Sequence, residues 1–211
     1  MRYSRVVEAV IVALLLVIPH TAQAQDDLDG LLTKFAQMPG LSADFREVQH
    51  IALLTQPLTH EGTVHFAPPS RLARHTLKPA RSSFVLDAST LTVGDAHGRR
   101  EVDLAAHPVA AELTGSLLHI LAGDRPSLEK AYRVEFSVAM DDEWTLTLTP
   151  RSPTLTKVIE RMTFKGRGLN VSAMTLFEAS GDRREMVFVG VRTDRRYSPT
   201  EIERVFRIGG P

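Results

Sequence analysis

The sequence predicts a mainly β (α+β) protein, in which a strongly curved antiparallel sheet of about eleven strands carries helices on one face. Apolar and polar residues alternate in short runs, separated by turn residues at intervals of about ten residues. Only two long stretches place leucines at helical spacing. The alternation alone leaves two architectures open, a two-layer sandwich and a partly closed barrel. A curved sheet with a helical lid or plug would enclose a hydrophobic cavity.

The N-terminus has the layout of a secretory signal peptide, which we predict to span residues 1–24. Two arginines precede an apolar run at Ala9–Ile18, Pro19 ends this run, and Ala22-Gln23-Ala24 supplies a cleavage site. An uncleaved membrane anchor is the alternative, but the run of ten residues is about half of what a bilayer span needs. We therefore expect export to the periplasm and a single mature domain at residues 25–211.

Composition excludes several function classes. The chain has 25 Lys and Arg against 25 Asp and Glu, so its formal net charge is zero, which argues against a nucleic-acid partner. The absence of cysteine excludes disulfides, thiolate metal sites and a lipidated N-terminal cysteine. An apolar content of 43% is enough to build a core.

The first predicted helix starts near Asp26 and Asp27, whose carboxylates favour a helix N-terminus. Pro39-Gly40 ends it. Its apolar stripe has the spacing i, i+3, i+4 and i+7 and consists of Leu28, Leu31, Leu32 and Phe35.

From Leu41 onward apolar residues recur at every second position, which predicts an antiparallel meander of strands. A second helix is predicted over Val109–Ala122, and a separate short helical turn is predicted over Ser127–Lys130. Strands resume at Val134, and Met186–Val191 and Ile202–Ile208 supply the last two.

No motif indicates catalysis or a metal site. Gly115-Ser116-Leu117 lacks the second glycine of a nucleophile elbow, and no phosphate-binding loop is present. His60 and His65 are five residues apart on one predicted strand, which places their rings on opposite faces and disfavours a shared metal. We expect no enzyme activity and no cofactor.

The inward faces of the predicted strands carry the candidate ligand-binding residues, which could form a plain core or line a cavity. Methionines and one tryptophan suit a wall that adapts to acyl chains. These candidates are Phe45, Phe66, Phe84, Leu86, Leu91, Val93, Phe136, Trp144, Leu146, Leu148, Met162, Phe164, Met174 and Leu176. The lid candidates on the second helix are Leu113, Leu117, Leu118 and Leu121. The leucine stripe of the first helix is a further lid candidate.

The order of these features resembles the LolA-type periplasmic lipoprotein carriers, most closely the LolA-related branch. The motifs that carry the resemblance are Leu41-Ser42-Ala43-Asp44-Phe45, Gly62–Pro69, Leu72–Pro79, Leu86–Val93, Trp144–Arg151 and a terminal strand at Phe206–Ile208. Two features depart from the family pattern. No arginine precedes Pro68-Pro69, and Arg74 stands near the place of an expected tryptophan.

The resemblance implies an incomplete barrel with a helical lid over a hydrophobic cavity. It implies a monomer that takes an acylated lipoprotein or lipid from an inner-membrane transporter and passes it to an outer-membrane acceptor. Two alternatives remain at this stage. One is a periplasmic sensor or scaffold with a packed cavity, and the other is a carrier of a non-lipoprotein lipid such as an aryl polyene lipid.

Overall fold

The computed structural model describes residues 20–208, with side chains from Asp27 onward. The strands are β1 Leu41–His50, β2 Leu58–Ala67, β3 Arg71–Lys78, β4 Ser82–Asp87, β5 Thr90–Asp95, β6 Gly98–Asp103, β7 Tyr132–Val138, β8 Trp144–Pro150, β9 Ile159–Arg167, β10 Asn170–Glu178 and β11 Arg183–Arg192. The α-helices are α1 His20–Ala36, α2 Pro108–Leu121, α3 Arg125–Ala131 and α4 Pro199–Val205.

All eleven strands belong to one antiparallel sheet with the order β6-β5-β4-β3-β2-β1-β11-β10-β9-β8-β7. Apart from β6 and β7, strands that are consecutive in the chain are neighbours in the sheet, and β11 returns to pair with β1. The edge strands β6 and β7 do not pair with each other among the described residues, so the sheet stays open. The predicted incomplete antiparallel barrel with helices on it is confirmed.

The helical segment connects the two edges of the sheet. The chain leaves β6, passes through α2 and α3, and enters β7 at the opposite edge. The segment therefore crosses one face of the sheet, which we call the inner face. Leu128 of α3 and Leu117 of α2 join the main apolar core there.

Two strands were not predicted by alternation, and their sequences explain why. β3 carries Arg74 on the inner face and His75 on the outer face, so charge and polarity obscure its period of two. β6 is a polar edge strand whose residues are mostly exposed. Backbone pairing with β4 and β5, respectively, includes these segments in the sheet.

The prediction of a last strand at Ile202–Ile208 is wrong. Residues Pro199–Val205 form helix α4, which begins with a capping box between Ser198 and Glu201. Phe206 follows the helix and packs in a small apolar cluster on the outer face, with Ala67, Ala73 and Val85. The family-like terminal strand at Phe206–Ile208 is therefore also absent from this chain.

The N-terminal helix is longer than the sequence predicts, because α1 begins at His20 and not near Asp26. Residues 1–19 of the predicted signal peptide at residues 1–24 lie outside the described residues. Cleavage of this peptide therefore stays a prediction. From Asp27 to Met38 the segment buries its apolar side chains against the sheet, as the stripe predicts.

Candidate functional site

Cross-strand pairing places all fourteen strand candidates on the inner face of the sheet. On one side of β1, Phe66 lies opposite Leu41 and Leu72, and Leu72 lies opposite Leu86. On the other side, Met174 lies opposite Met186 and Phe164. The same register connects the rest, which are Phe45, Phe84, Leu91, Val93, Phe136, Trp144, Leu146, Leu148, Met162 and Leu176.

Helix α1 fills the inner face over β7, β8 and β9. Its Phe35 ring meets Trp144 edge-on at a centroid distance of 6.3 Å, and Phe136 stacks on the same indole at 6.5 Å. The Trp144 Nε1 donates a hydrogen bond of 2.8 Å to the Gly168 carbonyl. Leu146, Leu148 and Met162 are almost completely buried here. These candidates and Phe136 lie in a packed core and do not line a cavity.

The other half of the inner face is hollow. A cavity of about 380 Å³ lies between helix α2 and the sheet, and this volume is within the range typical of small-molecule sites, about 300–1,000 Å³. Five of the strand candidates line it: Phe66, Phe84, Phe164, Met174 and Leu176. Apolar residues outside the candidate set complete the wall, among them Leu41, Val64, Leu72 and Phe188.

Four further candidates lie beside this cavity without lining it. Phe45 is buried beneath the Arg74 guanidinium, whose Cζ is 4.5 Å from the ring centroid. Leu86 and Leu91 face each other across β4 and β5 and are buried. Val93 lies opposite Phe84 and is partly buried.

Helix α2 forms the roof of the cavity through Leu117, Ile120 and Leu121, and Phe35 of α1 closes one side. The lid candidates Leu113 and Leu118 pack against the main core. All four lid leucines are only partly buried, although the small polar residue Ser116 is buried on the same helix. A roof helix with half-buried leucines is expected when the space under it is not filled by side chains.

A close helix contact positions this roof. Gly123 ends α2 with a positive φ of 69°, and a Cβ there would lie 2.7 Å from the Leu32 carbonyl oxygen of α1. Only glycine therefore allows the end of α2 to approach α1 this closely. The Tyr132 hydroxyl donates to the Glu112 carbonyl at 3.2 Å and ties the middle of α2 to the start of β7.

Three charged side chains interrupt the apolar wall: Glu47, Arg74 and Arg184. Arg74 Nη2 lies 3.2 Å from Glu47 Oε1, and the Glu47 side chain is only 7% exposed. Burial lowers the pKa of Arg74, the Glu47 carboxylate opposes this shift, and the charge of Arg184 adds to it. Arg184 donates from Nε to Glu178 Oε1 at 2.9 Å.

A family model described as outer membrane lipoprotein carrier protein LolA-like matches residues 20–203. The chain belongs to this LolA-like family. The resemblance seen in the sequence motifs is thereby confirmed. Among curated proteins, no significant sequence match is found.

Several solved structures match this LolA-like protein at low sequence identity. A LolA superfamily protein from Nitrosomonas europaea is 12% identical over 88% of this chain and 97% of its own, with a TM-score of 0.43. A putative outer membrane lipoprotein-sorting protein domain from Vibrio parahaemolyticus is 8% identical over 86% and 97%, with a TM-score of 0.49. The MucB structure is 17% identical over 89% of this chain but 63% of its own, with a TM-score of 0.47.

The sequence interpretation of this LolA-like protein missed the charged residues of the cavity. Glu47 lies on the same face of β1 as Ala43 and Phe45, and Arg74 lies on the same face of β3 as Leu72. A charged residue at an inward position of a strand is the sequence signal that marks them. Apolar alternation alone does not reveal it, because it identifies only the apolar and aromatic residues of the inner face.

The described part of the chain holds no group of three or more His, Asp or Glu side chains arranged to bind a metal ion. His65 is instead hydrogen-bonded to Thr63 and to Tyr197 on the outer face. Across residues 20–208, no helix has the length and apolar character needed to cross a membrane.

Proposed function

We propose that this LolA-like protein is a periplasmic carrier that holds acyl chains of a lipoprotein or another lipid in the cavity under α2. The single observation that supports this most is a preformed cavity of about 380 Å³ with a wall that is apolar apart from a few groups. In this proposal a cleavable signal peptide exports the chain. The monomer then moves cargo from an inner-membrane donor to an outer-membrane acceptor, with no cofactor and no chemical step.

The physical basis of carriage is transfer of apolar surface from water into the cavity. Each buried CH₂ contributes about 0.8 kcal/mol, so a chain of about sixteen carbons could gain on the order of 12 kcal/mol if it were fully buried. A carrier must also release its cargo, so part of this gain has to be offset. The roof leucines Leu117 and Leu121 offset it, because they cover the empty cavity and are displaced by an acyl chain.

The carrier proposal predicts that a charge in the roof abolishes acyl binding. In Leu121→Glu, a carboxylate replaces an apolar side chain of the cavity wall. We expect the affinity of the delipidated protein for a fluorescent fatty-acyl probe to fall at least about tenfold, roughly 1.4 kcal/mol. The matched control is Met140→Glu, which makes the same kind of change at a fully exposed side chain and should leave binding unchanged.

Native mass spectrometry of the protein isolated from periplasm gives an independent test. A co-purifying lipid or lipoprotein mass supports the carrier. An apo mass together with no probe binding by the wild-type protein overturns it, and a specific complex with a signalling protein would then favour the sensor alternative. Probe binding that survives Leu121→Glu would contradict the assignment of α2 as the lid.

A further inference from the structure

Arg74 and Arg71 leave β3 on opposite faces. The Arg74 Cζ lies 4.5 Å from the centroid of the buried Phe45 ring, and the side chain lines the cavity. By contrast, Arg71 lies on the outer face of β3 and pairs with Asp87 at 3.2 Å.

The hydrogen-bonding capacity of the Arg74 guanidinium is incompletely used. Its Nε and Nη2 are buried, and neither makes a hydrogen bond within the described residues, although Nη2 lies 3.2 Å from Glu47 Oε1. Buried N–H groups without hydrogen bonds cost free energy, and this cost is recovered when an acceptor reaches them. The cavity that Arg74 lines is the space from which such an acceptor can approach.

The unused donors of Arg74, and not the sum of charges, favour an anion at the wall. Arg74, Arg184 and Glu47 line the cavity, and Arg184 already donates to Glu178 at 2.9 Å. Burial and the nearby charge of Arg184 both lower the pKa of Arg74, so a second negative charge would stabilise its charged form. Arginine is suited to carboxylate and phosphate groups because its planar fork donates two parallel hydrogen bonds.

We infer that Arg74, assisted by Arg184, binds an acidic head group of the cargo, a carboxylate or a phosphate, while the acyl chain occupies the apolar part of the cavity. This inference rests on the proposed carrier function and narrows its ligand to anionic amphiphiles. Glu47 competes with the head group for the same guanidinium. It keeps the charge paired when the cavity is empty and weakens binding enough for release.

The test compares three ligands that share one dodecyl chain and differ only in the head group: dodecanol, dodecanoate and dodecyl phosphate. Each displaces a fluorescent acyl probe with an uncharged head from the full mature protein. We expect wild type to bind at least one acidic ligand about tenfold more tightly than the alcohol, the gain typical of hydrogen bonds to charged groups. The acid that binds more tightly identifies the head group as carboxylate or phosphate.

Three variants make the inference specific. The double variant Arg74→Met with Glu47→Gln removes both charges, so no buried carboxylate is left unpaired. We expect its affinities for the acids and for the alcohol to differ by less than about threefold. Glu47→Gln alone removes the competitor and should strengthen binding of the acids, with no change for the alcohol. The control Arg71→Met, on the opposite face of the same strand, should keep the wild-type preference.

The outcomes separate this inference from the proposed function. Binding of dodecanol equal to that of both acids in wild type overturns the anion site but leaves the acyl carrier intact. Failure of all three ligands and of the probe to bind overturns the carrier itself. A preference for acids that persists in the double variant overturns the role of Arg74. Circular dichroism and thermal unfolding verify that each variant is folded.

Discussion

His65 illustrates how the outer face of the sheet fixes the C-terminal segment. The Tyr197 hydroxyl donates its only proton to the Leu41 carbonyl at 2.7 Å, so the His65 Nδ1 must donate to the Tyr197 oxygen, 3.0 Å away. In the neutral ring, Nε2 then accepts from the Thr63 hydroxyl at 3.0 Å. Burial, followed by the charges of His75 and Arg195, lowers the pKa of His65 to about 4.

The depressed pKa of this half-buried imidazole predicts a loss of stability in mild acid. The unfolded chain takes up the proton below a pKa of about 6.5, whereas the folded chain takes it up only near 4. Between these values the unfolded state binds more protons, so the free energy of unfolding falls as the pH is lowered. We expect urea unfolding of wild type to lose about 1 kcal/mol more between pH 7 and pH 5 than His65→Gln, after allowance for partial solvent exposure.

His97 provides the matched control for this titration. Its side chain is 94% exposed on the β5–β6 turn, so His97→Gln should follow the wild-type pH dependence. Equal pH dependence of wild type and His65→Gln would contradict the lowered pKa of His65 in the folded protein.

Alternation predicts which strand residues face inward, because successive side chains of a strand point to opposite faces of the sheet. Phe84 and Trp144 both face inward in the structure, as alternation requires. What lies above each of them was not predictable. Helix α1 covers Trp144, and Phe84 faces the cavity, because the path of distant segments across the sheet decides what covers it.

Helix α4 shows a local signal that overrides alternation. The sequence predicts a strand over Ile202–Ile208, yet Ile202, Val205 and Phe206 have the spacing i, i+3 and i+4, which also fits a helix. The deciding signal is Ser198-Pro199 followed by Glu201. The Ser198 hydroxyl accepts from the Glu201 amide at 3.3 Å, and the Glu201 carboxylate accepts from the Ser198 amide at 2.9 Å. A capping box with proline at the first helical position marks a helix start.

Removal of this cap should weaken the attachment of α4. Ser198→Ala deletes the oxygen that accepts from the Glu201 amide, and we expect the free energy of unfolding in urea to fall by about 1 kcal/mol. Ser198→Asp offers a carboxylate in the same place and should retain most of the wild-type stability. Equal stability of the alanine and wild-type proteins would show that packing of Phe206, and not the cap, holds the segment.

The whole molecule divides one continuous inner face into a packed half and a hollow half. The chain runs from β1 to one edge, crosses in α2 and α3, and returns from the other edge to β11. Helix α1 occupies the half over β7 to β9, and α2 spans the space left over the central strands. Most of the strands and the two apolar helices followed from periodicity, with β3, β6 and α4 as the exceptions. The division did not, because alternation identifies a face and not the volume above it.

A hollow half implies a conflict between stability and binding that one substitution can expose. Met174 lines the cavity between Phe164 and Met186, so Met174→Trp places a larger apolar side chain in space that acyl cargo would occupy. We expect the free energy of unfolding to rise by about 1 kcal/mol. The affinity for a fluorescent acyl probe should fall at least about tenfold. Val187→Trp adds the same side chain on the exposed outer face of the adjacent strand and should change neither property by as much. Unchanged probe binding in Met174→Trp would mean that the cargo is held elsewhere, because a filled cavity cannot also accept an acyl chain.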